Sequence, residues 1–99
     1  MVKLLMRWDI QAGREAEYFQ FIIQEFVPAL LKMGMQPTEV WFTAYGDYPQ
    51  IQAGGLAPDL LTVQKIVGGD EWHELREKLE GYVSGYQQKV IEATGGFQL

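Results

Sequence analysis

The chain has 99 residues, close to the commonest size of one domain, and residues 1–99 are read as a single domain. Eight Lys and Arg against thirteen Asp and Glu leave a net charge of −5, a poor match for nucleic acid or an anionic membrane, both of which need a positive surface. A hydrophobic fraction of 47% argues against disorder, and the absence of cysteine removes disulfides, zinc-thiolate sites and thiol nucleophiles.

Val2, Leu4, Met6, Trp8 and Ile10 are apolar at every second position, with Lys3, Leu5, Arg7 and Asp9 between them. Period two belongs to a β-strand with one face for a core and one mixed face. We read it as the central strand. No apolar run reaches the length of a membrane span, and the stretch around Lys3 and Arg7 is too short for a secretory signal, so the expected compartment is the cytoplasm.

After a break at Gln11-Ala12-Gly13, a helix is predicted from about Arg14 to Met33. Its apolar stripe is Phe19, Ile22, Ile23, Phe26, Leu30 and Met33, broadened by Tyr18 and Val27. Pro28 should kink or split it, and Gly34 suits a left-handed cap. Glu39–Tyr45 reads as a strand rich in β-branched and aromatic residues, and Gly46-Asp47-Tyr48-Pro49 as a turn. Gln50–Leu56 then pairs back as a hairpin, and its Gly54-Gly55 marks a bulge or a close approach to the backbone. A short helix opens at Ala57-Pro58-Asp59 and runs to about Val67. Asp70 is the expected N-cap of a second helix reaching about Tyr86, with Trp72, Leu75, Leu79, Tyr82, Val83 and Tyr86 as its stripe. Glu74 and Lys78 are spaced to pair on its outer side, and a last strand is predicted over Lys89–Ala93.

The order is β-α-β-β-α-β, an α+β ferredoxin-like arrangement: a four-stranded antiparallel sheet with helices on one face. The other face would stay open unless something packs on it, and a second copy, sheet against sheet, is the expected cover.

Two stretches carry a resemblance. A strand, Leu4-Leu5-Met6-Arg7-Trp8-Asp9-Ile10, is followed by Gly13-Arg14-Glu15-Ala16-Glu17-Tyr18-Phe19, and Gly69-Asp70-Glu71-Trp72 opens the late helix. Together with the element order, they make the chain resemble the dimeric α/β-barrel superfamily. That group includes NIPSNAP-like proteins, stress-responsive barrels, muconolactone isomerase-like enzymes and antibiotic-biosynthesis monooxygenases. The resemblance implies a homodimer and a cleft between sheet and helices for a small aromatic or hydrophobic ligand. It carries no catalytic set over to this chain.

Trp8, Trp41, Tyr45, Tyr48 and Trp72 are the aromatic candidates for such a cleft, beside ordinary core or dimer packing. Arg7 and Asp9 share a face, so Arg7 could grip an acidic ligand or join a structural ion pair. His73, the only histidine, has Asp70 and Glu77 at metal-ligand spacing, but a solvated helix surface accounts better for all three, and no metal is expected. The pattern Gly-x-Gly-x-x-Gly is absent, and Ser84, the only serine, is poorly placed for a nucleophile, so no cofactor is expected. The first reading is an unassigned homodimer that binds a small ligand. A cofactor-independent monooxygenase or isomerase, with His73 or an acid moving a proton, and an interaction domain without a ligand remain open beside it.

Overall fold

The computed structural model describes residues 1–43 and 50–92, with side chains for all of these except 39–43 and 50. β1 (Val2–Ile10) leads to α1 (Glu15–Phe21), a π-helical turn (Ile22–Phe26) and α2 (Val27–Met33). β2 (Gln36–Thr43), β3 (Gln50–Ala57), α3 (Leu60–Val67), α4 (Asp70–Glu80) and β4 (Val83–Glu92) complete the order. The strands form one antiparallel sheet in the order β2-β3-β1-β4. β1 lies inside the sheet, and the fold is the α+β ferredoxin-like one that the element order predicts.

The alternation in β1 sets the two faces. Val2, Leu4, Met6, Trp8 and Ile10 are buried beneath the helices. Lys3, Leu5, Arg7 and Asp9 lie on the opposite face, half-buried or, for Arg7, exposed. Among the described residues no polar or charged residue is fully buried, so the core is built by apolar contact.

The N-terminal helix runs without a break from Glu15 to Met33, so of the kink or split expected at Pro28 the split does not occur. Tyr18, Ile22, Phe26 and Leu30 all reach the core. In a regular α-helix each four-residue step overshoots a full turn by about 40°, so this line would drift away from the sheet. The π-turn takes up that drift: the Val27 N–H bonds the Ile22 carbonyl, five residues back. Pro28 comes directly after it, and its missing N–H is tolerated at this change of hydrogen-bond spacing. The stripe is shifted as a result. Tyr18 is 1% exposed, whereas Phe19 and Ile23 stay outside at 45% and 71%. Gly34, at φ 96°, ends α2 in the left-handed conformation, with the Met35 N–H bonding the Leu30 carbonyl.

Of the two meanings considered for Gly54-Gly55, the close approach applies at the pair itself, and the bulge falls in the strand opposite it. The β2–β3 ladder skips Thr38, with Pro37 opposite Gly55 and Glu39 opposite Gly54, so the irregularity lies in β2. Met35 lies across Gly55, where a Cβ would stand 2.6 Å from the Met35 Cγ. Asp59 caps α3, accepting the Thr62 N–H and hydroxyl at 2.8 Å each, and these bonds hold its carboxyl below the usual 3.8. Val63 of α3 packs on Val2 and Ala57.

The largest departure is at the C-terminal side. α4 is capped by Gly69, with Asp70 inside the first turn, and it stops at Glu80. Lys78 pairs with Glu25 at 3.1 Å, bridging to the N-terminal helix, and not with Glu74. Tyr82 lies beyond the helix, and Val83 and Tyr86 belong to β4, which begins well before Lys89. In the β1–β4 ladder Asp9 faces Ser84 and Arg7 faces Gln87, so Gly85 and Tyr86 together oppose Trp8. This bulge needs a left-handed residue, and Gly85 supplies it at φ 66°. The extra residue puts Val83 and Tyr86 on one side of the strand, three residues apart, which imitates helical spacing. No helix among the described residues is long and apolar enough to cross a membrane.

Candidate functional site

The space between helices and sheet, where the cleft was expected, is occupied by side chains. Trp8 is 3% exposed and Trp72 1%. Trp8 meets Tyr18 and Phe26 edge-on, with ring centroids 6.4 and 5.9 Å away. It stacks on Tyr86 at 5.9 Å with the planes 9° apart. The Arg76 guanidinium lies 4.4 Å from the Tyr86 ring centroid. Trp8 Nε1–H donates to the Tyr18 hydroxyl at 2.9 Å, which satisfies a buried donor.

Burial favours the neutral form of both tyrosines. It pushes the Tyr18 phenol up to about 12 against the Trp8 hydrogen bond, which favours the phenolate, and it raises Tyr86 as well. The native state therefore holds the Tyr18 proton more tightly than the unfolded chain does. That contribution is whole below the ordinary value of 10.0 and is lost as pH rises through about 12. The wild-type protein should accordingly lose stability across this alkaline window, and Tyr18→Phe should flatten the slope. Chemical unfolding at stepped alkaline pH, with the phenolate absorbance read in parallel, checks this. An equal slope in the variant would contradict it.

The opposite face of the sheet is different in kind. A hollow of 630 Å³ lies there, lined by Leu5, Arg7, Gln52, Gln87, Gln88 and Lys89. A second hollow of 410 Å³ shares Arg7 and Gln87 with it and reaches Trp8, Asp9 and Gly85. The register explains the convergence: Arg7 faces Gln52 on β3 and Gln87 on β4, and Leu5 faces Lys89. Arg7 and Lys89 form no hydrogen bond or ion pair among the described residues. By contrast Arg14, Arg76 and Lys78 are paired with Glu17, Glu80 and Glu25. Asp9 Oδ1 is buried and has no hydrogen-bond partner among the described residues. Such an oxygen is costly unless a donor reaches it. A crevice of 210 Å³ also lies among Glu25, Ala29, Met33 and Leu75, below the usual size of a small-molecule site.

Of the candidates, Arg7 lines the larger hollow, and Trp8 touches the smaller one from within the core. Trp72 is core, and His73 is exposed on α4. Among the described residues no cluster of three His, Cys, Asp or Glu is placed to hold a metal ion. Trp41 stands opposite Gln52 in the β2–β3 ladder, and Tyr45 and Tyr48 lie outside the described residues. Leu5, Gln52, Gln87 and Lys89 do not stand out in the sequence. Only the pairing of three strands gathers them, and glutamines carry no signature of their own.

No family model matches the chain, and no curated protein matches it. Solved structures do. A protein of Arabidopsis thaliana superposes with a TM-score of 0.77 at 11% identity, covering 99% of this chain and 100% of its own. A Deinococcus radiodurans protein, provisionally described as an antibiotic biosynthesis monooxygenase, gives 0.75 at 12% identity, covering 100% and 98%. An uncharacterized NIPSNAP domain protein from Burkholderia xenovorans gives 0.73 at 11% identity, covering 99% of each chain. At such identities the likeness speaks for architecture alone. The chain thus has the ferredoxin-like α+β fold seen in NIPSNAP-domain and antibiotic-biosynthesis-monooxygenase-like structures.

Proposed function

We propose that the protein works as a homodimer whose two open sheet faces meet and hold a small organic molecule between them. The observation that carries this reading is the 630 Å³ hollow on a sheet face that no helix among the described residues covers. Its volume lies within the usual range for small-molecule sites. Half-buried Leu5 and Leu56 and exposed Ile91 share that face, and apolar side chains in such a position favour a partner. The lining combines two cations and three glutamines with apolar side-chain surface, which supports a ligand with both a polar and a hydrocarbon part on the open face. The neighbour described as a monooxygenase lends its fold and no catalytic residue, so catalysis is left out of this reading.

The dimer is tested by sedimentation equilibrium at micromolar protein. Wild type should be a dimer. Leu5→Lys sets a further positive charge beside Arg7 and Lys89 in the contact without touching the core, and should weaken association at least about a hundredfold. Its circular dichroism should remain native. A wild type that sediments as a monomer would refute the proposal.

A further inference from the structure

We infer that the molecule held on the open face is a small organic carboxylate, gripped by Arg7 and Lys89, and that its binding tightens the dimer. The inference rests on the homodimer reading and names the ligand class of that same site.

Charge is unevenly distributed over the chain. α4 carries Asp70, Glu71, Glu74, Glu77 and Glu80 against Arg76 and Lys78, and α1 carries Glu15 and Glu17. The hollow, on the other side of the sheet, presents Arg7 and Lys89 with no partner among the described residues. A chain of net charge −5 thus aims two cations into one concavity. Arg7 offers a planar fork suited to a carboxylate, and Lys89 a compact point charge. The side-chain amides of Gln52 and Gln87 flank Arg7 in register and can donate or accept. Leu5, between Arg7 and the apolar end of the face, supplies a surface for a hydrocarbon part. At 630 Å³ the hollow suits a small molecule and excludes a macromolecular partner within it.

A second copy makes the coupling. Were the two hollows to meet face against face across a two-fold axis, the four cations of the two copies would come together and outnumber the two Asp9 carboxylates beside them. Like charges oppose association, and two bound carboxylates remove that repulsion. A ligand that favours the dimer over the monomer must also be bound more tightly by the dimer, by the same factor.

The test uses benzoate as probe, benzyl alcohol as its neutral counterpart, and added sodium chloride at matched ionic strength as the screening control. Sedimentation equilibrium gives the dimer constant, and calorimetry the affinity. Saturating benzoate should tighten the wild-type dimer about tenfold or more beyond the salt control, with benzyl alcohol inert. Arg7→Gln and Lys89→Gln, both at solvent-facing positions, should fold normally, tighten the dimer without benzoate, and lose its effect. A dimer indifferent to benzoate, or one that benzyl alcohol tightens equally, overturns the carboxylate assignment and leaves the homodimer standing. A chain that stays monomeric yet binds benzoate through Arg7 and Lys89 overturns the homodimer and the coupling while keeping the ligand class. If Arg7→Gln and Asp9→Asn each break the dimer and Arg7→Asp combined with Asp9→Arg restores it, then Arg7 is paired with Asp9 of the second copy. The carboxylate assignment then falls.

Discussion

Trp8→Ala should remove much of the stability of the domain, about 4–8 kcal/mol. Truncating a buried tryptophan costs about 3–5 kcal/mol through lost transfer energy and the cavity left behind. Here the loss goes further, because Trp8 Nε1–H is the donor to the Tyr18 hydroxyl at 2.9 Å. Tyr18 is almost wholly enclosed, so its oxygen would lose its partner at a further cost of about 1–3 kcal/mol. The edge-on contacts with Tyr18 and Phe26 and the stack on Tyr86 disappear together. Domains of this size are stable by about 5–15 kcal/mol, so the variant should be at the margin of folding. Urea unfolding at one fixed protein concentration should show the midpoint lowered by roughly 2–4 M. Trp8→Phe separates the two parts of the effect. It keeps one ring in place, removes the donor and gives up part of the buried ring area, and should cost about 1–3 kcal/mol. A loss below about 1 kcal/mol for Trp8→Ala would show that this cluster does not hold helix to sheet.

Gly55→Ala should be destabilising by about 1–3 kcal/mol, although it adds a single methyl group to a strand. The added Cβ would stand 2.6 Å from the Met35 Cγ, and Met35 is enclosed by the core. Met35→Ala alone should cost about 2–5 kcal/mol by leaving a cavity. The two effects should not add. With the Met35 side chain gone, the new methyl group has room and fills part of the void. The double variant should therefore be more stable than the sum of the singles by about 1–2 kcal/mol. Strict additivity in urea unfolding would mean that Gly55 is required for its backbone and not for the passage of Met35.

How much of the fold is legible in the chain depends on how local each signal is. The alternation in Val2–Ile10 belongs to one strand, and both its core face and its place inside the sheet are observed. Gly54-Gly55 likewise announces a close approach, since a glycine pair within a strand has few other uses. The end of α4 misleads for a physical reason. The bulge at Gly85 makes strand residues Val83 and Tyr86 share a face at a three-residue interval, which continues the beat of Leu75 and Leu79. The shifted stripe in the N-terminal helix has a similar origin, because a π-turn cannot be seen in a count that assumes one pitch. At the candidate site only Arg7 is legible, as a charge on the open side of a strand. Leu5, Gln52, Gln87 and Lys89 come from three strands and meet through pairing. The aromatics Trp8 and Trp72 stand out for their chemistry, and the core takes them for their area.

The π-turn at Ile22–Phe26 has a consequence for how the chain tolerates change in length. Five residues in the wide turn cover about the rotation and rise of four in a regular helix. Deleting one residue there would therefore restore regular winding and leave Tyr18 and Leu30 both facing the sheet. A deletion between the turn and Leu30, with the turn kept, would instead rotate the two ends by about 100° against each other and swing Tyr18 off Trp8. The odd turn thus acts as a spare residue stored in the rod.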